Sequence, residues 1–380
     1  MSRGEEEEIP FQYGTLFALG SNGAGQLGVP KAGDLSSPRQ TVNRIYNPVT
    51  DIKHIAAGGN HTLVLYHDGT IKSMGCNADG RCGVPKVREI RPPLVAFHEH
   101  ELHARQGWPD RRQDKFAHVS ATWAASILVY EGGKVFTAGS GDRGEMGLGF
   151  GVTGRVDATP NSAARQIPDF PPQGTSIVHI NSSMAHTVVV LSNGEVWGWG
   201  KGRKGQLGEP AEDVWTPRKI EGVPFPVVKA ACGKDFTCLV GNRENGELLV
   251  LGSKDNDRFG VRSNAPKAVP GWVDIAASWG SIYVLREDGS ILAWGRDDHG
   301  QLPPPGLPAV KAIAAGSEHC LALTGAGKVL AWGWGEHGNC GEPTDERGDV
   351  KGRWNEIGIP GKVHSIYAGC ATSFIATIPA

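Results

Sequence analysis

Few residues in this chain are equipped for chemistry. His98, His100 and His103 in HEHELH offer three imidazoles within six residues. A metal would need them to converge, but a helical His98–His100 pair diverges and no Cys or further His sits nearby at matching spacing. The run reads as a solvated polar loop. GSNGAGQLG (Gly20–Gly28) and GSGDRGEMGLG (Gly139–Gly149) have the glycine spacing of phosphate-binding loops. Such a loop needs a helix N-terminus behind it, and here the pattern continues into strand. Seven Cys, an odd number without a CxxC pair, suggest a reducing compartment and buried free thiols. Cys232 and Cys238 read as small core residues. No carboxylate pair, activated Ser or Cys, or nucleophile elbow stands out. The expectation is a protein that is not an enzyme and carries no cofactor or metal.

The elements that must position any site follow from a repeat. Ile55–Gly83, IAAGGNHTLVLYHDGTIKSMGCNADGRCG, recurs from Val119, Ile180, Ala230, Ile275 and Ile313, giving six whole copies. The last residues from Ile366 supply a front half and Gly14–Gly28 a back half, which together make a seventh. Each copy has a small-residue strand, two short apolar runs and a turn glycine: Gly14, Gly69, Gly133, Gly194, Gly246, Gly289 or Gly327. Asp68, Asn193, Asn245 and Asp288 precede four of these, the signature of a two-residue type I′ hairpin. A second glycine follows six residues later, from Gly20 to Gly333, where a bulge or a close backbone is expected. Pro-led stretches such as Pro217–Ile220 and Pro266–Val269 read as outermost strands. Four strands per copy, seven copies and a split repeat predict an all-β, seven-bladed β-propeller. Its N- and C-terminal segments share one blade and close the ring. Residues 14–380 form this propeller, residues 1–13 an acidic tail around Glu5–Glu8, and 84–118 a long insertion.

Composition agrees. Gly accounts for 54 of 380 residues, as many tight turns require. A formal charge of −2 gives no reason to expect nucleic acid or an anionic membrane. There is no secretory signal and no apolar span long enough for a bilayer.

Residues that recur serve the blade. His61, His186 and His319 share one repeat position, filled elsewhere by Ala125, Phe236, Ser281 and Thr372, and read as structural, bonding a loop backbone. Trp197, Trp199, Trp294, Trp332 and Trp334 read as packing between blades. The positions that change read as the binding face. They are the pairs Gly59-Asn60, Trp123-Ala124, Met184-Ala185, Lys234-Asp235, Trp279-Gly280, Ser317-Glu318 and Cys370-Ala371, which symmetry places on loops around one mouth of the ring. Asn60, Trp123, Met184, Lys234, Asp235, Trp279 and Glu318 are the candidate partner-binding residues, since exposed Trp and Met amid charges compose a hot spot.

The small-small-Gly strand, the His-Thr pairs (His61–Thr62, His186–Thr187), the Trp332–Gly333 strand and Gly-Gln-Leu-Gly (Gly25–Gly28, Gly205–Gly208) resemble the RCC1 repeat family. The resemblance covers the chain after its first dozen residues; WD40 propellers fit less well, because the aromatic is followed by Gly rather than Asp. It implies an RCC1-like propeller, and the layout looks most like the compact alpha-tubulin suppressor type. That type implies a heterodimer with a small CSL-type zinc-finger protein, in the cytoplasm and also the nucleus. The pair supports diphthamide synthesis and Elongator-dependent modification of wobble uridine in tRNA, with the Elongator complex as a further partner. The alternative the family implies is guanine nucleotide exchange on a small GTPase, with Asp235 and Glu318 as the carboxylates available to displace the nucleotide-bound metal. A third implied role is an ultraviolet sensor built on clustered Trp residues.

Overall fold

The computed structural model describes residues 14–29, 33–41, 52–83, 98–99, 115–152, 164–253 and 255–378. Acidic Glu5–Glu8 and most of the 84–118 insertion fall outside them. The described chain is organised as seven antiparallel sheets. Strands β1 (Thr15–Gly20) and β2 (Leu35–Gln40) wait for partners from the far end of the chain. Blade 1 follows as β3 (Ile52–Ala57), β4 (His61–Tyr66), β5 (Ile71–Gly75) and β6 (His98–Glu99). Blade 2 is β7 (Phe116–Ala121), β8 (Ala125–Tyr130), β9 (Val135–Gly139) and β10 (Ala164–Gln166). Blade 3 is β11 (Ile177–Ser183), β12 (His186–Leu191), β13 (Val196–Gly200) and β14 (Val214–Lys219). Blade 4 has three strands, β15 (Lys229–Cys232), β16 (Phe236–Val240) and β17 (Leu248–Gly252). Blade 5 also has three, β18 (Trp272–Ala277), β19 (Ser281–Arg286) and β20 (Ile291–Gly295). Blade 6 is β21 (Val310–Ala315), β22 (His319–Thr324), β23 (Val329–Trp334) and β24 (Asp349–Ile357). Finally β25 (Lys362–Ala368) and β26 (Thr372–Ile378) pair with β1 and β2 to make blade 7, in the order β2-β1-β26-β25.

The innermost strands of successive blades touch all the way round, β25 against β3 included, so the sheets form a closed ring. Six residue pairs from Thr15↔Thr377 to Gly20↔Thr372 join the chain's two ends. The seven-bladed all-β architecture and its shared blade are therefore as the repeat predicts. Three local expectations need correction. Pro217–Ile220 does lie largely in β14, but Pro266–Val269 forms only one isolated bridge, Glu247↔Ala268. Pro266 and Pro270 flank that bridge and cannot extend a ladder, because proline has no amide to donate. Blade 5 likewise stops at three strands, and its connection carries Pro303, Pro304, Pro305 and Pro308. His98 and Glu99 of HEHELH pair with Ser73 and Lys72 as an outer strand rather than a free loop.

The hairpins are also one residue longer than predicted. Tyr66 N donates to Thr70 O and Gly69 N to Tyr66 O, and only Gly69 has positive φ, at 83°. Asp68 therefore keeps an ordinary backbone and caps Thr70 N through Oδ1 at 2.9 Å. This is a three-residue loop closed by one left-handed glycine, not a type I′ turn. It recurs at Gly133, Gly194, Gly289 and Gly327. Gly14 turns nothing, because β1 and β26 come from opposite ends of the chain.

Apolar clusters run between blades, for example Phe17 and Leu19 of blade 7 with Leu321 and Trp332 of blade 6 and Tyr283 of blade 5. Trp199, Trp294 and Trp332 cross these seams, each indole donating to a loop carbonyl of the preceding blade (Glu145, Val261 and Gln301) at 2.7–3.0 Å. The recurrent histidines cross the opposite way. His61 Nε2 lies 2.9 Å from Ser126 Oγ, His186 Nε2 3.1 Å from Thr237 Oγ1, and His319 Nε2 2.9 Å from Ser373 Oγ, each on the next blade. Each hydroxyl spends its proton on a carbonyl of the histidine's own blade: Arg81, Gln206 or Asn339. The hydroxyl must then accept from the ring, so Nε2 carries a proton; burial keeps the imidazole neutral. These histidines are structural as expected, but they reach the loop backbone through a hydroxyl.

Burial pulls His61 down to about 3 and His186 and His319 to about 4. The unfolded chain therefore takes up protons below about pH 6.5 that the folded chain refuses until about pH 4. Stability from each histidine is complete above pH 6.5 and falls by about 1.4 kcal/mol per pH unit on acidification through that window. His186→Phe, which copies the residue found at Phe236, should cost stability at pH 7. Urea unfolding should show that cost shrinking between pH 6 and 4.5 by about 1.4 kcal/mol per unit. A cost that does not change with pH would show that His186 does not resist protonation.

Candidate functional site

The loop pairs sit where β3, β7, β11, β15, β18, β21 and β25 end, around one mouth of the axial channel. Their geometry comes from the second recurrent glycine. Gly20, Gly75, Gly139, Gly200, Gly252, Gly295 and Gly333 all have φ between 103° and 156°. A Cβ on six of them would strike a loop carbonyl oxygen: Ala371, Asn60, Ala124, Ala185, Gly280 and Glu318 respectively for Gly20, Gly75, Gly139, Gly200, Gly295 and Gly333. The residue after each of these glycines donates its amide to that same carbonyl at 2.8–3.0 Å. The glycine thus admits a backbone, as expected, and in six of the seven pairs the second residue is held by its main chain.

The first residue is held by its neighbours. Gly59 N donates to Trp123 O, Trp123 N to Met184 O, Lys234 N to Trp279 O, Trp279 N to Ser317 O and Ser317 N to Gly369 O, at 2.8–3.1 Å. These bonds run in one direction around the mouth. With the backbones fixed, the side chains are free to vary where there is room, which Gly59, packed against Trp123, does not have. Gly59, Trp123, Met184, Trp279, Ser317 and Cys370 line an axial channel of about 360 Å3. Trp123 and Trp279, from blades 2 and 5, lean across it with ring centroids 6.0 Å apart. They pair over the axis rather than folding back on their own blades, and Trp123 remains 38% exposed.

A second cavity, a cleft of about 440 Å3, opens beside this mouth and is lined from blades 3 to 6. Lys234, Asp235, Trp279 and Glu318 line it together with Lys204, Arg258, Phe259, Arg262, Arg296 and Trp334. Trp279 belongs to both cavities. Lys234 Nζ stands 5.4 Å from its ring centroid, and Phe259 receives the guanidiniums of Arg258 and Arg296 at 5.1 and 5.4 Å. Asp235 is paired with Lys201 at 2.8 Å.

Four of the seven sequence-predicted residues thus meet in the cleft, and Trp123 and Met184 stand at the channel mouth. Asn60 lines neither cavity; its carbonyl is bonded by Cys76 N. Glu318 is not a surface carboxylate. It is 3% exposed and lies between Arg296 Nη1 at 2.6 Å and Gln301 Nε2 at 2.8 Å. Burial raises its pKa above the usual carboxylate value against the pull of those partners. Trp334 was expected in a seam; it is half-buried, stacks on His299 at 5.0 Å and lines the cleft.

Arg258, Phe259, Arg262 and Arg296 were missed. For Arg258, Phe259 and Arg262 the signal lay in the loop after the second glycine, where the Ala230 copy reads SKDNDRFGVR in place of a Gly-Gln-Leu-Gly ending; Arg296 follows the second glycine of the Ile275 copy, Gly295. The channel wall was missed too. The residue before each recurrent aliphatic of the inner strands is His54, His118, His179, Lys229, Asp274, Ala312 or Ser365, and six of these follow a β-bulge that re-aims them. Burial and the charge of Lys229 hold His54 and His179 at about 4, and Lys229 pairs with Asp274.

The Arg296–Glu318 pair makes the cleft floor testable. Arg296→Met strands a buried carboxylate and should cost about 3 kcal/mol in urea unfolding. Adding Glu318→Gln should recover most of it, because the neutral amide needs no cation. An equal loss in the double variant would place the cost in packing instead.

The comparisons with known proteins agree with this geometry. The family described as the RCC1-like domain matches residues 15–375. An RCC1 repeat-containing protein of Schizosaccharomyces pombe is 29% identical over 95% of this chain and 98% of its own length. Human WBSCR16 superposes with a TM-score of 0.74 at 21% identity, covering 97% of this chain and 99% of that one. Prp20p of Saccharomyces cerevisiae, described with its binding to Gsp1p and histones, superposes at 0.75 with 20% identity, over 100% and 96%. The chain belongs to the RCC1-like domain family.

Proposed function

We propose that this protein is a non-enzymatic scaffold that binds a small protein partner across the channel mouth and the adjoining cleft. The observation that carries the reading is Trp279. It is half-exposed, belongs to both cavities, and is flanked by Trp123 and Lys234, which is the make-up of an interface anchor. The chemistry around it is quiet. Asp235, Asp298 and Glu318 are all engaged with cations. Burial pushes the thiols of Cys82, Cys232, Cys238 and Cys320 up to about 12 and that of Cys370 to about 11, so none is a ready nucleophile.

The partner we favour is a small CSL-type zinc-finger protein, in a heterodimer supporting diphthamide synthesis and Elongator-dependent tRNA wobble uridine modification in cytoplasm and nucleus. The compact propeller layout and the full-length match to the fission-yeast RCC1 repeat protein support it. Nucleotide exchange on a small GTPase asks for a free carboxylate, and the ion pairs of Asp235 and Glu318 count against it. A nucleotide-release assay with candidate GTPases should show no acceleration.

The scaffold reading predicts a stoichiometric complex that survives size exclusion with the purified zinc-finger partner. Trp279→Ala should weaken that complex roughly 30-fold, the loss of about 2 kcal/mol typical of an anchor, with an unchanged melting temperature. A folded Trp279→Ala protein that binds as tightly as wild type would remove the face from consideration.

A further inference from the structure

The cleft has an imbalance of charge that its own residues do not resolve. Its acids are spent internally. Asp235 faces Lys201, Asp298 and Glu318 share Arg296, and Asp257 Oδ2 accepts the amides of Arg262 and Ser263 at 3.1 and 2.7 Å. Four cations on its wall have no such partner. Among the described residues, no carboxylate lies within ion-pair distance of Lys204, Lys234, Arg258 or Arg262. Lys204, Lys234 and Arg258 are exposed, and Arg262 directs Nη1 to the carbonyl of Gly252 at 2.7 Å. The lining holds five cations, Arg296 included, against four carboxylates, so the excess is small, but the four cations without an ion pair stand together, on a chain whose formal charge is −2. In the corresponding loops of blades 1 to 3, other cations find acids: Arg81 with Asp79, Arg143 and Arg203 with Asp213.

The cations are also placed in advance. Lys234 Nζ rests over Trp279 and the Arg258 guanidinium over Phe259, contacts that hold both charged groups on the cleft wall. The break in the repeat makes the room. Blades 4 and 5 lack a fourth strand, and blade 4 carries a turn running from Asp257 to Asn264, closed by Gly260 N to Asp257 O and Asn264 N to Gly260 O. Preorganised donors in a concave site bind with little ordering cost.

We propose that the cleft receives an acidic segment of a protein partner, a run of Asp or Glu side chains whose carboxylates pair with Lys204, Lys234, Arg258 and Arg262. This rests on the scaffold reading and specifies the chemistry of the contact. A short protein segment fits better than nucleic acid, because the four cations are gathered in one cleft of about 440 Å3 rather than along a stripe that a phosphate backbone could follow.

The test is fluorescence anisotropy with the full chain and a labelled peptide of eight residues alternating Glu and Gly. The Glu peptide should bind, a Gln-for-Glu peptide about 10-fold or more weakly, and raising NaCl from 50 to 300 mM should weaken the Glu peptide further. Arg258→Glu and Lys204→Glu, both exposed and checked for an unchanged melting temperature, should each weaken it about 10-fold. No binding of the Glu peptide, or binding indifferent to both charge reversals, overturns the proposal. So does tighter binding of a labelled eight-nucleotide single strand. Glu5–Glu8 of the chain itself has the same chemistry, so the titration is repeated with those four residues changed to Gln. Binding seen only in that variant would assign the cleft to the chain's own segment and overturn the partner. The zinc-finger complex, measured on the same proteins, separates the two levels. If it forms equally with both charge reversals, the scaffold reading stands and the acidic segment falls.

Discussion

The arrangement of the binding face depends on one close approach, a strand glycine lying against a loop carbonyl. Only glycine can hold φ above 100° there, and only the lack of a Cβ lets the next amide reach the carbonyl of Asn60, Ala124, Ala185, Gly280, Glu318 or Ala371. This contact fastens the loop to its own blade through the main chain. A second set of main-chain bonds fastens it to the next blade. Neither set uses a side chain. The fold therefore leaves the identity of residues 123, 184, 234, 279, 317 and 370 open, and Trp, Met, Lys, Ser and Cys all occur there; at residue 59 a Cβ would strike Trp123, so that position is held to glycine.

The seams between blades work on a different principle. They are filled by apolar side chains, and most polar groups inside them find a partner. Indoles cross one way and histidine–hydroxyl relays the other, each ending on a loop carbonyl. His61, His186 and His319 are neutral because their blades exclude water, and the single hydroxyl proton decides which ring nitrogen carries hydrogen. Their other nitrogen, Nδ1, is buried without a partner. A group held unprotonated in this way ties the integrity of the ring to pH, which apolar packing alone would not do.

The blade was legible in the sequence because its constraints are local. A glycine at a fixed offset, a turn and an apolar pair of runs recur in every copy, and the shared blade follows from counting halves. What was not legible is what copies do to one another. The three-residue hairpin loop could not be told from a type I′ turn, because Asp68-Gly69 suits both and only φ at Asp68 separates them. Glu318 looked like a surface carboxylate because its partners, Arg296 and Gln301, lie in a different copy. Trp334 looked like a seam residue because it follows Gly333, yet one step beyond the strand glycine turns it to the cleft.

The two three-stranded blades explain why the variable face is not uniform. An outer strand costs nothing to omit on a closed ring, since the inner strands carry the closure and the outer edge is short and flanked by proline. Omitting it in two adjacent blades, and replacing one Gly-Gln-Leu-Gly ending by Asp257–Asn264, opens the surface at a single sector. Most of the candidate residues that meet in a cavity meet there, and Trp279 joins that sector to the axial channel. The ring supplies seven equivalent loops; it is the loss of repetition at blades 4 and 5 that makes one sector of them a site.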